Sequence, residues 1–217
     1  MESLKGKKIV IFGDSYSTFE GCIPDGYPAY YYRGGREGAT DVRAVEETWW
    51  ARLCKQSGAE VLLNDSWSGS TVGYTGYNGD CSTSSSFIYR LRCLKESGFF
   101  LKNSVDTVCI FGGTNDSWAD APLGEMKFSD WEKKDLYFVL PALAYFAYAV
   151  KETLPTAEIV IIINPELKDE IADCFKAVAA RYGLKAAVLC DIDKECGHPT
   201  VKGMAQICEQ VLAVLAC

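Results

Sequence analysis

Ser15 follows a short apolar run, residues 8 to 12, in the step Gly13-Asp14-Ser15. His198, the one histidine of the 217 residues, stands near the far end in Gly197-His198-Pro199-Thr200. A serine hydroxyl becomes a working nucleophile when a base takes its proton and N–H donors meet the charge that develops on the attacked oxygen. Each part is present at a turn. Ser15 opens a segment whose N–H groups favour negative charge. Gly69, in Ser66-Trp67-Ser68-Gly69-Ser70, has no Cβ to hold a substrate away from its N–H, although Gly73 and Gly76 of the same loop could replace it. Asn115, in Gly112-Gly113-Thr114-Asn115-Asp116, offers a side-chain amide, and Asp116 reads as a residue that holds the loop by hydrogen bonds. The chemistry this set supports is acyl transfer. Taken singly, Ser15 also fits a helix cap and His198 a half-buried histidine beside a helix start.

These residues need a frame. Apolar runs at 8–12, 60–63, 106–111, 158–163 and 186–190 read as strands buried on both faces. Helical spacing occupies 43–57, 86–97, 130–153, 166–182 and 200–215, so strand and helix alternate. The expected architecture is a three-layer α/β/α sandwich around a five-stranded parallel sheet, one domain over 1–217 with a long aromatic, Gly-rich surface loop at about 16–40. Ser129 or Asp130 is expected to cap the helix at 130–153 and Pro141 to kink or divide it, while Thr200 caps the last helix. Val201, Met204, Ile207, Val211 and Leu212 make that helix's inward stripe. Ligands of such sheets bind beyond the carboxyl ends of the strands, where Gly13-Asp14-Ser15, Asn64 to Ser70, Gly112 to Asp116, Asn164-Pro165-Glu166 and Asp191 to Pro199 gather.

Four of these blocks in order, GDS at 13–15, the Gly69 region, GGTND at 112–116 and GHPT at 197–200, resemble those of SGNH hydrolases, the GDSL-like lipases and esterases. The resemblance runs from Gly13 to Met204 and implies a flavodoxin-like fold. It also implies Ser15 as nucleophile, His198 as base, an oxyanion hole of Ser15 N–H, Gly69 N–H and the Asn115 amide, and no cofactor or metal. The chain departs from the resemblance at the triad acid. Aspartate usually stands three residues before the histidine; here it is Glu195, with Asp193 and Asp191 as alternatives. A Ser-His dyad aided by a backbone carbonyl also fits, since the base needs only an acceptor for its second ring N–H. Asp14, Tyr16, Trp67 and Trp118 are expected to line the substrate site. Further aromatics in 16–36, with Trp49 and Trp50, could stack on sugar faces or line an acyl pocket. Arg33, Arg36 and Arg43 could meet an anionic substrate or lie in a solvated loop.

Charge and composition narrow the field. The formal net charge is −7 with no cluster of Lys and Arg, which argues against nucleic acid as a partner. The start, MESLKGKKIVIFGDS, has too short an apolar run for a secretory signal or membrane span, so a cytoplasmic protein with its ten cysteines as reduced thiols is expected. Cys109 and Cys190 fall in expected strands as small core residues. No CxxC pair occurs, no G-x-G-x-x-G follows the first strand, no phosphate-binding G-x-x-x-x-G-K-[ST] is present, and Ser17 breaks the G-x-S-x-G frame. Tyr16 stands where an aspartyl phosphatase would carry its second aspartate. The expected function is a serine esterase acting on a small acyl ester, acetyl for choice, of a carbohydrate or similar small molecule. A lysophospholipase or thioesterase and a non-catalytic carbohydrate-binding protein are the alternatives, and a homo-oligomer is left open.

Overall fold

The computed structural model describes residues 4–216. The five apolar runs form β1 (Lys8–Gly13), β2 (Glu60–Ser66), β3 (Thr107–Phe111), β4 (Glu158–Ile163) and β5 (Lys185–Val188). They make one parallel sheet in the order β2-β1-β3-β4-β5. Seven α-helices accompany them among the described residues: α1 (Trp49–Ser57), α2 (Phe87–Glu96), α3 (Phe99–Lys102), α4 (Thr114–Trp118), α5 (Val139–Thr153), α6 (Asp169–Tyr182) and α7 (Val201–Leu215).

Alternation of side chains along the strands sorts the core into two layers. Ile9, Ile11, Cys109, Phe111, Val160 and Ile162 pack with α1 and α7 through Trp49, Leu53, Met204, Ile207 and Val211. Val10, Phe12, Val108, Ile110, Ile159 and Ile161 pack on the opposite face with α2, α5 and α6 through Phe87, Phe146, Val150, Ile171 and Phe175. Each such aliphatic or aromatic side chain contributes roughly 1.5–3 kcal/mol by leaving water, which is why strands with no polar face are stable here.

The sheet order places the reversal of winding between β1 and β3, so a crevice opens beyond their carboxyl ends. Gly13-Asp14-Ser15 and Gly112 to Asn115 meet at that point. Gly13 admits no larger residue: a Cβ there would lie 2.6 Å from Ser17 Cβ and would also strike Ser66 Oγ.

Some local expectations change. The helix drawn from 130 begins at Val139, preceded by a 3-10 turn at Lys133–Tyr137. Ser129 spends its hydroxyl on Asp130, and Asp130 sits at φ 54°, outside any helix. Pro141 is the third residue of α5, in the first turn, where its missing N–H would have had no partner, so it neither kinks nor divides the helix. Helix α1 starts at Trp49 rather than 43, after a 3-10 turn at Val45–Glu47, with Thr48 as its cap. Thr200 caps α7 by accepting from Gly203 N at 3.1 Å. Cys109 is fully buried, but Cys190 lies past the end of β5 and is exposed, so it is no core residue. The nine described cysteines carry free thiols; Cys217 lies outside the described residues. The stretch 16–40 is less superficial than expected, since Phe19 and Tyr31 are buried in the α1/α7 layer.

Candidate active site

The turn after β1 is built by its neighbours. Asp14 leaves the strand in extended conformation and accepts from Tyr16 N at 3.1 Å, starting a 3-10 turn at Ser15–Ser17. Beneath it, Trp49 Nε1 donates to Ser17 Oγ at 3.1 Å, and Trp50 Nε1 and Asn64 Nδ2 donate to Ser17 O at 2.9 and 2.8 Å. The two tryptophans expected near a substrate therefore support the turn from inside the core.

Arg90, on α2, ties this turn to the next loop. It is 1% exposed, pairs with the Asp65 carboxylate at 3.1 Å and donates to Asp65 O, to Gly13 O at 3.1 Å, to Ser70 Oγ at 3.2 Å and to Ser85 O at 2.9 Å. One side chain thus joins the ends of β1 and β2 and the loop carrying Gly69. That loop turns at Trp67–Ser70, closed by Ser70 N donating to Trp67 O at 3.1 Å, with Gly69 at φ +83°, a value that favours glycine.

From α4, which follows β3, Asp116 reaches across to the same loop. Its carboxylate accepts from Val72 N at 3.0 Å and Gly73 N at 3.3 Å, while burial pushes its pKa up to about 6. Asn115 donates from Nδ2 to Ser70 O at 2.9 Å, and its Oδ1 accepts from the Tyr77 hydroxyl at 3.1 Å. Ser15 N–H and Gly69 N–H have no acceptor among the described residues. Unpaired backbone donors at a concave rim are groups that a ligand would satisfy.

His198 arrives on a two-stranded ladder, Lys194–Glu195 with His198–Pro199, whose turn residues Cys196 and Gly197 both have positive φ, 49° and 74°. Two such residues in sequence give the tight turn whose twist matches a hairpin. The turn aims Cys196 O at the imidazole: Nδ1 lies 3.1 Å from that carbonyl, and Nε2 lies 3.0 Å from Ser15 Oγ. Because a carbonyl only accepts, Nδ1 carries the hydrogen and the Nε2 lone pair faces the serine.

Aromatic side chains hold the ladder in place. Tyr30 stacks face to face on the imidazole at 3.5 Å and 5°, and Tyr16 and Trp118 present edges at 5.3 and 5.9 Å. Tyr16 donates to Gly197 O at 2.6 Å and Tyr31 to Pro199 O at 3.0 Å. Burial lowers the His198 pKa, and the nearby charges of Lys194 and Arg36 lower it further, against the opposing hydrogen bond to Cys196 O. The ring is therefore neutral at pH 7. Lys194 is itself engaged, with Glu166 at 2.9 Å and Asn164 Oδ1 at 2.8 Å.

None of the side chains expected as the triad acid hydrogen-bonds His198 in the structure. Asp193 accepts from the Thr200 hydroxyl and faces Lys202 at 3.6 Å; Glu195 is exposed; neither it nor Asp191 hydrogen-bonds His198. The acceptor on Nδ1 is a main-chain carbonyl, Cys196 O, the arrangement that the sequence left open beside the three carboxylates. Asp14 and Tyr16, expected at the substrate, are 0% and 1% exposed, and the bonds they make support the turn after β1 and the ladder that carries His198. Asp14 Oδ2 is buried without a hydrogen-bond partner, and burial, with Asp116 adding to it, pushes that carboxyl up to about 7. Trp118 is exposed beside His198, and Trp67 packs on Tyr27 at 4.4 Å. Trp67 also lines a groove of about 320 Å³ with Gly69, Tyr77 and Asn78.

Three supports were not foreseen. Arg90 shares the apolar face of Phe87 and Leu91, a signal readable in FIYRLRCL. Tyr30 and Tyr77 carry no such mark.

The GDSL-like lipase/acylhydrolase family model matches residues 7–215. The chain belongs to that family. Family membership makes it a serine hydrolase of the carboxylic ester type, within the SGNH superfamily. Two solved structures of GDSL-like lipase candidates are similar to it. One, from Bacteroides uniformis, is 40% identical with a TM-score of 0.88, covering 97% of this chain and 96% of that one. The other, from Bacteroides ovatus, is 39% identical with a TM-score of 0.88, covering 98% and 99%. At 14% identity, an acetyl xylan esterase from Butyrivibrio proteoclasticus shares the fold with a TM-score of 0.61, over 98% of this chain and 64% of that one. No curated protein matches the chain.

Proposed function

We propose that this GDSL-like hydrolase cleaves a small acyl ester, acetyl for choice, of a carbohydrate or similar small molecule through an acyl-enzyme on Ser15. The observation that carries the reading is the 3.0 Å approach of Ser15 Oγ to a His198 Nε2 that must be an acceptor. In the first step Ser15 Oγ attacks the ester carbonyl and its proton passes to Nε2. Ser15 N–H, Gly69 N–H and the free hydrogen of Asn115 Nδ2 receive the oxyanion. His198 returns the proton to the leaving alcohol, and water then repeats the sequence to release the acid. Cys196 O holds the imidazole in its tautomer and orientation as a neutral acceptor, doing the work usually given to a carboxylate.

The substrate class draws support from the groove beside Gly69, small, with Trp67 and Tyr77 as rings among polar Ser68, Asn78 and Asp80. Such a surface suits a sugar better than a lipid chain. Carbohydrate esterases among the solved structures of the same fold point the same way.

Purified protein is expected to hydrolyse p-nitrophenyl acetate, with rates falling as the acyl chain lengthens to octanoate, and Ser15→Ala to reduce turnover to background. A rate rising with chain length would favour a lysophospholipase or thioesterase. Absence of turnover on all esters would favour a binding protein. The carbonyl-supported base makes its own prediction: Glu195→Gln and Asp193→Asn each change kcat less than about threefold, whereas loss of a working triad acid costs on the order of ten-thousand-fold. Steady-state kinetics on the acetate ester decide between the two.

A further inference from the structure

Tyr77 lies between the two short strands of an antiparallel ladder, Thr75–Gly76 with Gly79–Asp80, more than half exposed on the groove side of Gly69. The ladder is fastened to the body of the protein: Thr75 Oγ1 donates to Tyr137 O at 2.8 Å, and the Tyr137 hydroxyl donates to Asp80 Oδ2 at 3.0 Å. From this anchored position the Tyr77 hydroxyl donates to Asn115 Oδ1 at 3.1 Å.

A carboxamide has one acceptor oxygen and one nitrogen with two hydrogens. At Asn115 the oxygen is held by Tyr77 and one hydrogen by Ser70 O, so a single N–H remains uncommitted. Turning the amide over would set Oδ1 against the Ser70 carbonyl, so the present orientation is the one that Ser70 O and the Tyr77 hydroxyl hold together. A hydrogen bond received at Oδ1 also polarises the amide and strengthens its remaining N–H as a donor. We propose that Tyr77 is a positioning residue of the ester hydrolysis, fixing the Asn115 amide so that its free N–H is presented to the oxyanion. The inference rests on Asn115 being an oxyanion donor.

Tyr77 is suited to the role at every working pH. Burial and the neighbouring Asp14 and Asp116 carboxyls push its phenol above the ordinary tyrosine range, so it stays a donor. Its exposure also means that losing the hydroxyl removes one hydrogen bond and no core packing.

The test is a double-mutant cycle on p-nitrophenyl acetate, with kcat and KM measured for the wild type, Tyr77→Phe, Asn115→Ala and the double variant. Asn115→Ala is expected to lower kcat by about a hundredfold or more. Tyr77→Phe is expected to lower kcat by about tenfold with KM within about twofold of wild type. The double variant is expected to be no slower than Asn115→Ala, because with the amide gone the hydroxyl has nothing left to orient. Wild-type kcat in Tyr77→Phe, with Asn115→Ala impaired, overturns the inference alone. So does the same tenfold loss in both backgrounds. Wild-type kcat in Asn115→Ala overturns the inference together with the reading of the oxyanion hole.

Discussion

His198→Ala is expected to lower kcat for p-nitrophenyl acetate by about ten-thousand-fold with an unchanged circular dichroism spectrum. The size of the loss follows from His198 being, among the described residues, the only group within hydrogen-bond distance of Ser15 Oγ. The fold tolerates the change, because the ladder is held through main-chain carbonyls: Tyr16 grips Gly197 O and Tyr31 grips Pro199 O, and neither bond involves the imidazole. A pH profile gives the same residue a second signature. Burial, then Lys194 and Arg36, disfavour the charged ring, so its pKa lies below the ordinary histidine value of 6.5. The neutral, proton-accepting form therefore persists as pH falls to 6.5, and kcat/KM declines only below that. In the wild type the acidic limb should sit below pH 6.5, and it should vanish in the alanine variant. A loss of less than about tenfold, or an acidic limb above pH 7, would remove His198 from the role of base.

The second large effect is on stability. Arg90→Met is expected to destabilise the protein by about 3–5 kcal/mol, read as a fall in the urea midpoint, because it leaves Asp65 buried without its partner. That is a large part of the roughly 5–15 kcal/mol that keeps a domain folded. Carbonyls of Gly13 and Ser85 and the Ser70 hydroxyl lose a donor at the same time. Burial already pushes the Asp65 carboxyl up even with Arg90 beside it. Removing the charge in the pair Arg90→Met, Asp65→Asn should therefore restore part of the stability. Activity should not return with it, since the tie between Gly13 and Ser70 is still missing. An unchanged midpoint in Arg90→Met would show that the buried ion pair is not what holds these strand ends.

The frame was legible for a simple reason. Runs such as EIVIII have no polar face, and only a sheet covered on both sides accommodates them. Strand ends then had to meet on one rim, and Ser15, Gly69, Asn115 and His198 could be read off it. What stayed hidden has no side-chain signature. Which of the possible acceptors faces His198 is one such case: it is a carbonyl at a residue with positive φ, and the neighbouring carboxylates of Glu195, Asp193 and Asp191 are compatible with the same sequence. Tyr30 reaches the imidazole from a loop whose path depends on burial of Phe19 and Tyr31, contacts across the whole fold. Asp14 and Tyr16 flank Ser15 in the sequence, and only the folded chain shows their use as supports, Asp14 capping the 3-10 turn and Tyr16 holding Gly197 O. The helix expected from 130 starts only at Val139 because neither Ser129 nor Asp130 caps it and Lys133–Tyr137 forms a 3-10 turn, whose spacing of three is close to that of a helix.

The most direct measurement is covalent labelling with a fluorophosphonate, followed by mapping of the modified peptide by mass spectrometry. The account predicts one adduct per chain on Ser15, absent from Ser15→Ala and strongly slowed in His198→Ala, with Glu195→Gln labelled at the wild-type rate. An adduct on another residue, or labelling of Ser15 that stops when Glu195 loses its charge, would contradict it.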